Sequence, residues 1–338
     1  MTDIYNLTYD KLVSFLEANG EKKSKADMIF PAIYGKRVRE FPDIGLKSDL
    51  TELLSDNFYF GKVECIEKRE SESADKYLFR LSDGNLIESV LMKHEYGNNI
   101  CVSTQVGCNM GCAFCRSGRL KKIRNLEAAE MVEQLLYVSE ESGRKISGIA
   151  IMGIGEPLDN FENVTDFIDI AMYQKGFDIG LKHITLSTCG IVPKIYELSE
   201  SKNPVNLAVS LHAPTDELRD RLMPVNRKYP LSPLFDAIRH YSAAKNRRIT
   251  LEYVMLKGVN DSIECAERLA QLIGESNCYV NIIRYNESDG DSFECSSFDD
   301  IMKFYDVLKK HKIGVTMRRE LGASVNAACG QLRADYIK

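Results

Sequence analysis

The chain has no apolar run near the ~18 residues that a membrane-crossing helix requires, although 44% of its 338 residues are hydrophobic. That combination excludes a helical membrane protein and implies a soluble globular one with a proper core, built as one large domain and one small one. The first twenty residues, MTDIYNLTYDKLVSFLEANG, lack the basic leader and apolar stretch of a secretory signal, which leads to the expectation of a cytoplasmic protein. There is no low-complexity tract, no long flexible linker and no internal repeat beyond a strand-helix alternation, which sets aside solenoids and strings of tethered modules. Excess positive charge is also lacking. With 44 basic and 49 acidic side chains the formal charge is -5, a weak argument against nucleic acid as partner, because phosphate binding is largely counterion release. Locally the balance differs. Arg116, Arg119, Lys121, Lys122 and Arg124 form an acid-free stretch, and Lys22, Lys23, Lys25, Lys36, Arg37 and Arg39 form a second basic cluster. Each is either an ordinary solvated face or an RNA-facing patch.

Ten cysteines are present, and their placement carries the chemistry. The run Cys108-Asn-Met-Gly-Cys112-Ala-Phe-Cys115 is spaced C-x3-C-x2-C. Soft thiolates select iron-sulfur clusters or zinc, and a closed structural zinc site takes four ligands. Three thiolates hold three irons of a 4Fe-4S cluster and leave the fourth open to chelate the amino and carboxylate groups of S-adenosylmethionine (SAM) and to reduce its sulfonium. The spacing resembles the signature of radical SAM enzymes. A zinc site borrowing a fourth ligand, such as Cys101, and a set of buried unreactive thiols are the alternatives. Cys65, Cys189, Cys265, Cys278 and Cys295 are scattered singly, a pattern that suits a reducing compartment better than a disulfide scaffold.

From about residue 99 short β-branched runs alternate with helical periodicities. Strands are predicted over 100–106, 148–153, 183–188, 205–211, 249–256, 279–285 and 314–318. Between the last three lie the stripes Ile263, Ala266, Leu269, Ala270, Ile273 and Phe298, Ile301, Met302, Tyr305, Leu308. Repeated strand-helix units imply an α/β fold with a parallel sheet, best matched by a partial (β/α)6 barrel, although an open doubly wound sheet has the same local pattern. Upstream, residues 1 to about 60 read as helical, and 76–92 as a β-hairpin turning at the Asp-Gly within Ser82 to Asn85. The expected domains are a helical, RNA-binding accessory part over 1–75, a hairpin connection over 76–98 and a catalytic core over 99–338.

On this map the unusual residues share an address. The cysteine triplet follows the first strand, Gly153-Ile-Gly155-Glu156 the second, Ser187 closes the third, Ser210-Leu211-His212 the fourth, and Asn286 follows the strand at 279–285. In (β/α) barrels the carboxyl ends of the strands build the active site. Alone, Gly-x-Gly-Glu is also a tight turn, the serines are also helix caps, and His212 is also a core histidine. Together they indicate a SAM pocket, with glycines admitting the ligand close to the backbone and Glu156 accepting from its ammonium group.

Several further motifs occur in order: Cys101-Val-Ser-Thr-Gln-Val-Gly-Cys108, Arg124-Asn-Leu126, Met152-Gly-Ile-Gly-Glu-Pro-Leu158, Ser210-Leu-His-Ala-Pro214, Leu222-Met-Pro-Val-Asn-Arg-Lys-Tyr-Pro230, Tyr253-Val-Met-Leu-Lys-Gly-Val-Asn-Asp261 and Ala327-Ala-Cys-Gly-Gln-Leu332. With the triplet they resemble the RlmN/Cfr family of radical SAM RNA adenine methyltransferases, from about residue 75 to the end and more loosely before it. The resemblance implies a cofactor pair of a 4Fe-4S cluster on Cys108, Cys112 and Cys115 and SAM, two molecules per turnover, bound by Gly155, Glu156, Ser187, Ser210, Leu211, His212 and Asn286. It implies an RNA substrate, adenosine 2503 of 23S rRNA methylated at C2, with adenosine 37 of some tRNAs as a second candidate. It further implies that Cys329 receives the methyl group of a first SAM, that a radical from a second SAM activates it for addition to the adenine, that Glu88 accepts a proton, and that Cys101 attacks the Cys329 sulfur to release product by way of a disulfide. An electron donor such as flavodoxin or ferredoxin and a monomeric state are expected. Three positions depart from the family pattern: Ser117 where relatives carry Thr after the triplet, Glu127 where a capping Thr is usual, and Asn326 in place of Asp. Glu156-Pro-Leu158 and His212-Ala-Pro214 are similar to the C2-methylating branch, whereas Ile283-Arg-Tyr-Asn286 is similar to the C8-methylating, antibiotic-resistance branch. The alternative of another class is a zinc-stabilised RNA-binding protein.

Overall fold

In the computed structural model, residues 1–95, 97–287 and 292–318 are described. Cys329 and Asn326 lie outside the described residues. Three helices open the chain, α1 (Tyr9–Ala18), α2 (Ala26–Tyr34) and α3 (Ser48–Asn57). Four strands follow: β1 (Glu64–Glu70), β2 (Ala74–Arg80), β3 (Leu86–His94) and β4 (Gly97–Cys101). From there strands and helices alternate: α4 (Ala128–Ser142), β5 (Ile146–Ile151), α5 (Phe161–Met172), β6 (Ile184–Thr188), α6 (Val192–Glu200), β7 (Asn206–Ser210), α7 (Asp216–Leu222), α8 (Leu231–Lys245), β8 (Ile249–Met255), α9 (Ile263–Ile273), β9 (Cys278–Arg284), α10 (Phe298–Lys310) and β10 (Gly314–Met317).

All ten strands form one sheet in the sequential order β10-β9-β8-β7-β6-β5-β4-β3-β2-β1. Neighbours from β4 to β10 are parallel, and β1 to β4 are antiparallel. The strand order never reverses, so every crossover runs the same way and, being right-handed, puts its helix on the same face. That excludes the doubly wound alternative, whose order switches direction, and gives the partial barrel. The hairpin turns where expected but is not a connection set apart from the core: with β1 it extends the core sheet by three antiparallel strands.

Residue parity explains the curvature and the location of the core. Ile100, Ile149, Ile151, Leu186, Leu207, Val209, Leu251, Tyr253, Val280, Ile282 and Val315 are all buried on the helix-covered face. Side chains alternate across a strand, so the opposite face carries the intervening residues: Cys101 beside Ala150, Ser187 beside Ala208, Ser210 beside Glu252, and Glu252 beside Asn281 beside Thr316. This inner row is small and polar, and it lines the lumen. The helices begin on side-chain caps, Thr8 for α1, Ser262 for α9 and Ser297 for α10, each satisfying an otherwise orphaned amide. The N-terminal helices dock on α4 and α5 through Tyr9 stacked on Tyr173 (5.2 Å) and through Asn6, whose side chain donates to Glu127 and accepts from the Ala129 amide.

Candidate active site at the carboxyl ends of the strands

The cysteine loop leaves β4 and is fixed by its own backbone. The Cys108 amide donates to Leu120 (2.9 Å), the Ala113 amide to Leu222 (2.9 Å) and the Cys115 amide to the Cys112 carbonyl (3.1 Å). Met110, Cys112 and Phe114 pack on a small apolar cluster of Cys189, Ala213, Leu222, Met223, Val254, Leu256 and Tyr285, which caps the ends of β6 to β9. Gly118 closes the turn so tightly that a β-carbon there would lie 3.1 Å from the Cys112 amide and carbonyl. Burial pushes the Cys108 thiol up to about 12, and burial followed by the charges of Cys115 and Cys108 pushes Cys112 up as well.

The donor set and the unsatisfied groups around this loop test whether it fits a cluster. Three thiolates are soft ligands, and a cluster takes each on a separate iron. Thr104 Oγ1 and Ser117 Oγ are the buried side-chain oxygen or nitrogen atoms without a hydrogen-bond partner among the described residues. An orphan of this kind costs roughly 1–3 kcal/mol. Both flank the cysteine loop. The residues fit the group.

The glycine-rich loop after β5 sits against this segment. Gly155 has φ +115°, and a β-carbon on it would meet Gln105 Cβ and Thr104 Oγ1 at 2.7 Å; only glycine suits both conditions. The Glu156 amide donates to Gln105 Oε1 (2.9 Å). The buried Glu156 carboxylate accepts from the amides of Leu158 (3.0 Å) and Cys189 (2.7 Å), tying the end of β5 to that of β6. Burial raises its pKa and these hydrogen bonds oppose the rise. The Thr188 hydroxyl and the Cys189 thiol donate to the same carboxylate, so the protein holds it from both neighbouring strand ends.

At the end of β7, His212 is buried with φ +57°. Its Nδ1 accepts from the Val254 amide (3.0 Å), which places the proton on Nε2 and leaves the ring a donor. Burial, then the charge of Arg219, depresses its pKa to about 3. The Phe114 ring meets it edge-on at 4.7 Å, joining the cysteine loop to the SAM-pocket candidates. Ser187 and Ser210 face the lumen half-buried, Leu211 is buried on the helix side, and Asn286 is exposed beyond β9.

Glu88 on β3 and Cys101 at the end of β4 face the same lumen. Lys76 is paired with Val90 and Val90 with Cys101 in register, with Glu88 two residues along the same face. Glu88 forms an ion pair with Lys76 (3.1 Å), both side chains almost wholly buried. Burial pushes the Cys101 thiol up to about 11, against the pull of Arg318.

Sequence reasoning missed Lys76, Arg219 and Arg318. Arg219 is completely buried and donates to the carbonyls of Leu211 (3.1 Å), Cys189 (2.7 Å) and Ser210 (3.2 Å) and to Asn226 Oδ1 (2.9 Å). It thereby braces the ends of β6 and β7, and the available signal was its place just before the Leu222 motif. Of the basic patches, Lys122 pairs with Asp159, Arg124 with Asp83 and Glu130, and Arg39 with Glu140, while Arg37 donates to Ser139; these four are structural contacts. Glu127 still caps α4 in a capping box with Glu130, so that departure from the family pattern keeps its function.

The model of the Radical SAM superfamily matches residues 102–272. The chain is 47% identical over 336 residues to a probable dual-specificity RNA methyltransferase RlmN of Acholeplasma laidlawii, covering 99% of each chain. It is 48% identical to the protein of the same name from Listeria welshimeri, covering 100% of this chain and 95% of that one. The crystal structure of a radical SAM methyltransferase from Sphaerobacter thermophilus superposes with a TM-score of 0.90 at 37% identity, covering 98% of this chain and 99% of that one.

Proposed function

Because the chain belongs to the radical SAM superfamily and, within it, to the RlmN family, we propose that it methylates C2 of an adenosine in RNA: adenosine 2503 of 23S rRNA, and adenosine 37 of some tRNAs. Enzymes of this superfamily use a 4Fe-4S cluster and SAM, which when bound supply the electron and the radical precursor. In this reading Cys108, Cys112 and Cys115 hold the cluster, and Gly155, Glu156, Ser187, Ser210, Leu211, His212 and Asn286 surround SAM. Cys329 carries the methyl group, Glu88 takes up a proton, and Cys101 resolves the species in which Cys329 and RNA are joined. Residues 1–75 contribute RNA binding and 99–338 the chemistry, in a cytoplasmic monomer served by a small redox protein. The observation that carries the reading is the lumen itself: Cys101 and Glu88 face it on the same sheet surface as Ser187 and Ser210. A radical SAM mutase or activase has no use for a thiol there.

The test is a pair of cysteine variants with enzyme, SAM, reductant and RNA. Cys329→Ala keeps its iron and yields no methylated RNA. Cys101→Ala accumulates a protease-sensitive covalent protein-RNA species, because no thiolate remains to displace the Cys329 sulfur. Wild-type turnover by Cys101→Ala with no trapped RNA would overturn the resolving role. RNA deuterated at adenine C8 keeps its label through turnover; loss of label with 8-methyladenosine as product assigns the chain to the C8 branch instead.

A further inference from the structure

We propose that the Ser117 hydroxyl donates a hydrogen bond to a sulfur of the cluster held by Cys108, Cys112 and Cys115, and so sets the cluster's reduction potential; this rests on the cluster assignment above. Ser117 is 3% exposed, and its Oγ has no partner among the described residues. Its carbonyl accepts from the Leu120 amide (3.2 Å) in a short turn that the Arg119 amide also closes onto Arg116 (3.2 Å). The turn lies directly on the ligand loop: a β-carbon on the adjoining Gly118 would be 3.1 Å from the Cys112 backbone and 3.6 Å from Cys115 Cβ. The other orphan, Thr104 Oγ1, lies instead against Gly155, on the side of the SAM-pocket candidates. The two orphans thus bracket the place where the cofactors bind, and Ser117 is on the cluster side. A buried hydroxyl in a turn packed on Cys112 and Cys115 finds acceptors in the sulfur of a cluster bound there, and hydrogen bonds to cluster sulfurs shift the potential. The direction follows from charge. The reduced cluster carries one more electron on its sulfurs, so a donor stabilises it and raises the potential.

This reading also gives meaning to the family difference at this position. Serine in place of threonine retains the hydroxyl and drops only a methyl group.

The experiment uses the full chain, anaerobically reconstituted, with iron and sulfide counted and the midpoint measured by EPR-monitored redox titration without SAM or RNA. Ser117→Ala is expected to hold a full cluster with a more negative midpoint, and Ser117→Thr to match the wild type. An unchanged midpoint in a fully loaded Ser117→Ala overturns the proposal. Should Ser117→Ala fail to retain iron, the wild-type protein exchanged into D2O decides: the proposal requires an exchangeable deuteron coupled to the reduced cluster in ENDOR spectra, and its absence overturns it. Failure of the cluster assignment is separate, because the wild type itself would then bind no four irons.

Discussion

His212 combines three features seldom found in one residue: a left-handed backbone, a buried ring and a ring nitrogen accepting from a main-chain amide. A non-glycine φ above zero is uncommon and concentrates at functional sites. Here the strain is offset by Asn260, whose amide donates to the carbonyls of His212 (2.8 Å) and Val254 (2.7 Å). The ring's pKa of about 3 in the folded chain lies below the ordinary 6.5. Its contribution to stability is therefore complete above pH 6.5 and is lost as pH falls toward 3, as the unfolded chain takes up a proton that the folded one refuses. His212→Asn keeps an acceptor and tolerates positive φ. Between pH 7.5 and 5 the wild type should lose on the order of 2 kcal/mol more stability than the variant in urea titrations. Parallel losses in the two proteins would mean that the folded ring protonates. At this scale the sequence was partly legible. His212, Glu156 and the cysteines stood out because strand-end position and spacing are local signals. Lys76 and Arg219 did not, because a buried cation is recognised by partners that only the fold brings together.

Among the elements, α4 is the hinge of the assembly. It carries the capping box at Glu127, contacts Asn6 and Arg39 of the N-terminal segment, and buries Glu133 beside Asp3. Burial and the Asp3 charge raise Glu133 to about 9, so its protonated carboxyl donates to Asp3. Gly61 fits over the pair only without a side chain, since a β-carbon would lie 2.3 Å from Glu133 Oε1. A carboxyl held above its ordinary 4.5 favours the folded chain least once the unfolded one has ionised. The pair thus costs stability progressively from about pH 4.5 to 9. Glu133→Gln keeps a donor without a proton to lose, and should stabilise the protein at pH 8 by about 1–3 kcal/mol, with the gain fading toward pH 5. A thermal melt at both pH values checks it; a variant less stable at pH 8 would show that Glu133 is ionised and paired. The contrast between β1 and the parallel strands explains what patterning conveys at this scale. The parallel strands were readable because one face must be apolar against helices. In β1, Glu64-Cys-Ile-Glu-Lys-Arg-Glu70, hardly any side chain is buried, as edge strands carry charge to resist pairing with other chains, and no hydrophobic period remains to read.

Across the whole molecule the -5 charge hides a division of labour among the cations. Arg37, Arg39, Lys122 and Arg124 fasten elements together, whereas Lys22, Lys23 and Lys36 stand exposed on the N-terminal segment. Sequence alone could not separate the two groups, because the side chains that engage the first lie up to about a hundred residues away. The division predicts two distinct phenotypes. Arg39→Gln frees Glu140 and should lower stability by up to about 1 kcal/mol, the range of a partly exposed pair, with little change in RNA affinity. Lys22→Gln, Lys23→Gln and Lys36→Gln combined should leave the thermal midpoint unchanged and weaken RNA binding. Each phosphate that is no longer neutralised takes about 0.7–0.9 from the slope of log affinity against log salt, so the triple variant should bind RNA with a slope shallower by about 2–3. Filter binding of an rRNA fragment over a series of KCl concentrations measures this. An unchanged slope would make these lysines an ordinary solvated face and move the RNA footprint to Arg116, Arg119 and Lys121, beside the cysteine loop.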